Sequence, residues 1–163
     1  MVKWYSAYLR WAYRGRRPSA FTRFENRTSA MAFGAGIGPR CAAALEVVGR
    51  SSGRLLSSPV VIADWNGERY LVSMLGERAN WVRNVRAADG RAVLVRRRRE
   101  AVLLEDVPVE KRAPILRRYL ALAPGARPHI RVDRQAPLEE FEGIASQIPV
   151  FRITPTPTPK RPR

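Results

Sequence analysis

A chain of 163 residues, 45% of them hydrophobic, is long enough for one domain with a full core. Its single cysteine, Cys41, excludes an internal disulfide, and with one histidine, His129, it offers no ligand set for a structural zinc site. No run approaches the roughly 20 apolar residues of a membrane-spanning helix, and the net charge of +16 admits an anionic partner: a cofactor, a membrane surface or nucleic acid.

Of the 30 basic residues only Lys3, Lys111 and Lys160 are lysines. The basic excess sits in the first forty residues, where Glu25 is the one acid, in the centre of the chain and in the run Arg96-Arg97-Arg98-Arg99. Residues 100–142 are nearly balanced.

Residues 2–14 read as a helix ended by Gly15. Trp4, Tyr8 and Trp11 share one face at i, i+4, i+7, flanked by Lys3, Arg10 and Arg14. Such a helix either lies on an anionic membrane surface or packs on the body of the protein or on a second subunit. Arg16-Arg17 ahead of Phe21 outlines a twin-arginine signal, but the apolar stretch that follows, 28–39, holds three glycines and is too short. The expected location is the cytoplasm, with the inner face of the membrane as the alternative. Ser19 is placed to cap a second helix running to about Phe33. Gly34-Ala35-Gly36-Ile37-Gly38 has the look of a dinucleotide fingerprint. It follows a helix instead of a strand, and Pro39 stands where the third glycine belongs, so it reads as a connector.

From Ala43 the period changes to that of strands. Leu45-Glu46-Val47-Val48 is one, and 55–63 is the next. Asn66-Gly67 is the dipeptide that two-residue hairpins prefer, and Tyr70-Leu71-Val72-Ser73-Met74 returns. A helix is expected over 78–88. Ala92-Val93-Leu94-Val95 and Ala101-Val102-Leu103-Leu104 form a second hairpin with the four arginines near its tip. Pro108 opens a helical region to about Leu122, kinked at Pro114. The stretch 124–128 is a loop, and Pro137 sits in the first turn of a helix reaching Ser146. Val150-Phe151-Arg152-Ile153 is the last strand, and the Thr/Pro alternation from Thr154 is expected to be disordered. The expected domains are a basic helical arm (1–42), a cofactor-binding body (43–153) and a tail (154–163). About six antiparallel strands with inserted helices make an α+β fold and argue against a doubly wound sheet.

Two turns carry the chemistry. Gly49-Arg50-Ser51-Ser52-Gly53-Arg54 lies between two β-branched runs, and Ser73-Met74-Leu75-Gly76 closes a third just before the helix. Backbone N–H groups at such turns and at a helix start favour an anion. If antiparallel pairing brings the turns together, Arg50, Arg54 and Arg78 form one cationic pocket, with guanidiniums suited to bidentate phosphate binding. Trp81 and Asn84 share a helix face, where Trp81 serves equally as core or as pocket wall. No Ser-His-Asp arrangement, paired carboxylates or metal cluster is recognisable.

Leu45-Glu46-Val47-Val48-Gly49-Arg50-Ser51-Ser52-Gly53-Arg54, the Pro59-Val60 step, Tyr70-Leu71-Val72-Ser73 and Asn80-Trp81-Val82-Arg83-Asn84-Val85-Arg86-Ala87 occur in one order and spacing. As a set they resemble the deazaflavin-dependent nitroreductase family of actinobacteria, among the flavin/deazaflavin oxidoreductases. The stretch 124–151 resembles the subgroup known as nitroreductase/quinone reductase. The resemblance implies a split β-barrel and coenzyme F420, with FMN as the alternative cofactor. It also implies hydride transfer to a small-molecule quinone or nitro acceptor, and allows for a homodimer. Arg50 and Arg54 fall where the family meets the cofactor's anionic part, Ser73 where a serine binds the phosphate, and Trp81 and Asn84 beside the deazaflavin. Ser51, Pro59, Val60, Met74, Gly76, Arg78 and Asn80 complete the implied cofactor-binding set. Many members have lysine where this chain has Ser51, and Ser-Lys-Gly-Gly where it has Ser73-Met74-Leu75-Gly76. Tyr119 and His129 are the candidate proton donors. The rival reading is a non-catalytic basic protein bound to an anionic membrane or to nucleic acid. Specific nucleic-acid binding is not expected, because no recognition module is present.

Overall fold

The computed structural model describes residues 29–156. The aromatic face at Trp4, Tyr8 and Trp11 and residues 157–163 lie outside the described part. Six strands build the body: β1 (Ala42–Val48), β2 (Leu55–Trp65), β3 (Glu68–Val72), β4 (Arg91–Arg96), β5 (Arg98–Asp106) and β6 (Val150–Pro155). They close into a barrel in the order β1-β2-β3-β6-β5-β4, antiparallel at every junction. After residue 42 three α-helices accompany them among the described residues: α1 (Asn80–Ala87), α2 (Arg112–Leu122) and α3 (Leu138–Ile144). This is the expected α+β split-barrel architecture.

The two-residue period of the strands sorts their side chains into two cores. Ala43, Leu45 and Val47 of β1, Leu94 of β4, Val102 and Leu104 of β5 and Phe151 and Ile153 of β6 form one buried cluster, the barrel interior. Val82 and Val85 of α1 join that cluster, so α1 closes one end of the barrel. The alternate residues Ala63, Tyr70, Val72 and Val150 face outward and are covered by Ile115, Leu116 and Leu120 of α2 and Phe141 of α3. Each large apolar side chain so buried contributes about 1.5–3 kcal/mol relative to exposure.

The ladder is open along one stretch of β2. β2 pairs with β1 along 55–61, but with β3 only from Ile62 onward. Residues 55–61 are therefore open on the β3 side. Ile62 donates its N–H to Cys41 of the β1 side at 2.7 Å. Donors alternate between the two sides in an antiparallel ladder. The odd-numbered Pro59, which has no N–H, thus turns its missing donor toward the open side and costs the sheet no bond.

Several local expectations need correction. The helix expected over 78–88 is two pieces, a 3₁₀ turn over Gly76–Arg78 and then α1, separated by Ala79 in an extended conformation (φ −58°, ψ 133°). Pro114 does not kink its helix. It is the third residue of α2, where a backbone N–H has no intrahelical acceptor to lose. Pro137 precedes α3 in an extended conformation, and Ala145–Gln147 continues as 3₁₀. The 124–128 loop contains a 3₁₀ turn, Pro124–Ala126. β6 runs on through Pro155, opposite Val102, and Thr156 donates to Ala101 O at 2.9 Å. The Asn66-Gly67 hairpin forms as expected, with both residues at positive φ (49° and 76°).

Candidate functional site

Antiparallel pairing sends the end of β1, the start of β2, the end of β3 and the start of β6 to the same end of the barrel, the one closed by α1. The 49–54 and 73–78 turns therefore share that end. The first turn is held by Gly49 N–H on Arg54 O (2.7 Å) and Gly53 N–H on Gly49 O (2.9 Å). Gly53 has φ +66°, and a Cβ on Gly49 would lie 2.7 Å from Ser52 Oγ and 2.9 Å from Leu56 Cδ1. The turn needs glycine at both positions.

One contact joins this turn to α1. Asn84 Oδ1 accepts the main-chain N–H of Arg50 at 3.2 Å and the Arg50 Nη1 at 2.8 Å. Arg50, Arg54 and Arg78 are exposed, and among the described residues no carboxylate comes within ion-pair distance of them. Their guanidiniums remain able to meet an anion. Trp81 is half-buried on the interior cluster, its ring centroid 5.6 Å from that of Phe151 at a tilt of 59°. Asn80 and Ser51 are exposed, Pro59 half-buried and Val60 buried in β2.

The second turn is more inward than the sequence suggests. Ser73 is 1% exposed, and its hydroxyl donates to Gly76 O at 2.8 Å. Its own N–H donates to Pro149 O at 3.0 Å. Met74 packs on the outer cluster, and Gly76, at φ +76°, faces the Gln147 carbonyl. Arg86, which sequence reading did not single out, fastens this turn. It pairs with Glu77 and, at 3.0 Å, with Asp106 at the end of β5, while its guanidinium stacks over Phe151. The partners are nine and twenty residues away, so no sequence spacing announces them.

Of the two candidate proton donors, Tyr119 is not brought to this end. Tyr119 is 5% exposed in the outer cluster, and burial pushes its phenol far above the usual range, so it holds its proton. Its neighbour Arg118 reaches Asp64 at 2.9 Å, beside the Asn66-Gly67 hairpin at the opposite end. His129 is half-buried after the Pro124–Ala126 turn, with its N–H on Ala126 O at 3.0 Å.

Residues 20–139 match the model of the F420H(2)-dependent quinone reductase family. The chain belongs to that family. It is accordingly an F420-dependent oxidoreductase acting on a small-molecule acceptor, which sets aside the non-catalytic reading. No curated protein sequence matches the chain. Among solved structures it is similar to a domain-swapped dimer (14% identity, 83% of this chain and 100% of that one, TM-score 0.52). It is also similar to a proposed 5-nitroimidazole antibiotic resistance protein from Bacteroides thetaiotaomicron (9%, 80% and 80%, 0.50). A third is an F420-H2 dependent reductase, FDR-A (21%, 71% and 95%, 0.44). At these identities the likenesses concern at most the fold. None of the described helices is long and apolar enough to cross a membrane.

Proposed function

We propose that this reductase binds F420 at the α1 end of the barrel and reduces a quinone there, with nitro compounds as the second acceptor class. The observation that carries the site is the Arg50–Asn84 contact, which closes the first turn onto α1. The residues fit the cofactor. Its phosphate and oligoglutamate are anions, and Arg50, Arg54 and Arg78 offer guanidiniums with no carboxylate neighbour among the described residues. Arg50 stands where members carry their first arginine, and Arg54 and Arg78 offer the cations that many members supply as lysines in the two turns.

When bound, F420 supplies the hydride chemistry, and the protein orients it and keeps water from it. Trp81 offers an apolar wall beside Phe151, and the open edge of β2 at 55–61 leaves main-chain groups available to the cofactor. Val48, Leu55 and Leu56, exposed at 51%, 54% and 44%, give the same end an apolar rim suited to a quinone ring. The quinone takes up one hydride and one proton. With Tyr119 sealed in the core, the proton comes from solvent or from His129.

Titration with F420 followed by its fluorescence, run beside FMN, tests the cofactor site. Binding of F420 with Arg50→Ala weakened is the expected result, and tight FMN binding with no F420 binding overturns it. Steady-state turnover with a water-soluble quinone and a nitroaromatic then tests the acceptor. A higher kcat/KM for the nitro compound overturns the quinone reading.

A further inference from the structure

Asn84 is 3% exposed, so it presents little surface to a ligand. Its carboxamide oxygen takes two hydrogen bonds from one residue 34 positions earlier, at 3.2 Å from the Arg50 main chain and 2.8 Å from its guanidinium. Two donors converging on one atom identify that atom as the oxygen, since an amide nitrogen there would face both of them donor to donor. The two bonds act differently. The first fixes the peptide at the entry of the 49–54 turn. The second fixes the direction of the Arg50 side chain.

A guanidinium carries five N–H groups, and Asn84 engages one of them. Asparagine is also a neutral acceptor. An aspartate at this position would satisfy the same geometry and cancel the charge of Arg50. The arrangement thus orients the guanidinium, leaves most of its donors unspent and keeps its full positive charge.

We infer that Asn84 is a positioning residue that acts on the anionic part of F420 through Arg50 and does not itself contact the cofactor. This rests on the proposed cofactor site at the first turn. The two fail in different ways.

The test uses full-length protein, F420 affinity by fluorescence titration and the melting temperature of each variant. Arg50→Ala should weaken affinity roughly 10- to 150-fold, the scale of a charged hydrogen bond. Asn84→Ala should weaken it about 3- to 10-fold. The double variant should match Arg50→Ala alone to within about twofold, because a residue acting through Arg50 has no separate effect once Arg50 is gone. Asn84→Asp, nearly isosteric, should melt like the wild type yet lose at least as much affinity as Asn84→Ala. That charge signature is one a merely structural asparagine would not produce, and it carries the test even if Asn84→Ala fails to fold. Losses that multiply in the double variant, or wild-type affinity in Asn84→Asp, overturn the inference and leave the cofactor site standing. A wild type that does not bind F420, or an Arg50→Ala that binds as well as wild type, overturns both.

Discussion

Both ends of the barrel are rich in arginine, and at each end some guanidiniums are spent on partners within the protein while others have no carboxylate beside them among the described residues. At the hairpin end, Arg96 donates to Ala42 O (2.6 Å) and Gly38 O (3.3 Å), and Arg99 meets Glu46 at 2.5 Å. Arg69 is bidentate on Glu100, and Arg118 is held by Asp64. These charges are spent on carbonyls and carboxylates. At the α1 end, Arg50 rests on a neutral carboxamide, and Arg54 and Arg78 have no carboxylate partner among the described residues. The count of arginines therefore does not distinguish the ends; what distinguishes Arg50 is its partner, a neutral carboxamide. A guanidinium on a carboxylate is neutralised, whereas one on an amide oxygen is only aimed.

The sharpest way to break this comparison is to remove an arginine that is purely structural. Arg112, 7% exposed, donates to Val107 O (2.8 Å), Ala145 O (3.1 Å) and Ile148 O (3.2 Å). It stitches α2 to the segment behind Gly76. Arg112→Ala should cost about 3 kcal/mol or more by stranding buried carbonyls. Urea denaturation checks it, and a loss below about 1 kcal/mol would mean water replaces the guanidinium. Arg50→Ala should do the reverse. It should lower F420 affinity by about 1.5–3 kcal/mol while leaving the urea midpoint nearly unchanged.

A gentler probe reports from the same end. Bound F420 should alter tryptophan fluorescence, and Trp81→Phe, with the other three tryptophans intact, should lose that change. A fully retained signal places the cofactor elsewhere. At the hairpin end, Arg99→Ala should cost no more than about 1 kcal/mol, since its side chain is 58% exposed, and should leave F420 affinity untouched. Reduced affinity would show that the spent charges contribute after all.

Acidity offers a further test. The Arg69 guanidinium holds the Glu100 carboxyl below its ordinary value of 4.5, and Arg152 does the same for Glu105. A depressed carboxylate stabilises the fold fully above the unfolded value, and that stability is lost as pH falls through the lower folded value. Stability should therefore stay level down to about pH 5 and decline below it. Glu100→Gln should flatten part of that decline, measured as melting temperature against pH. A decline beginning near neutrality would point to a different group.

The strands were legible in the sequence because burial on one face imposes a period of two, and Asn66-Gly67 because only a few residues accept two positive φ angles in succession. The ordered motifs from Leu45 to Ala87 carried the family as well. Local chemistry also made the 49–54 turn a candidate anion site. Whether each arginine was spent or available was decided only by tertiary structure. Arg50 and Asn84 are 34 residues apart, Arg86 and Asp106 twenty, and Arg99 and Glu46 more than fifty, and no periodicity links such pairs. Ser73 shows the same limit: its sequence reads as a phosphate ligand, but the fold turns its hydroxyl onto Gly76 O and buries it. Tyr119 reads as a polar aromatic on a helix, and only the packing of α2 on the barrel seals it from any reacting group. Propensity and period are properties of neighbours along the chain. The partner of a charge is a property of neighbours in space, set when the barrel closes and brings its two turns and α1 to one end.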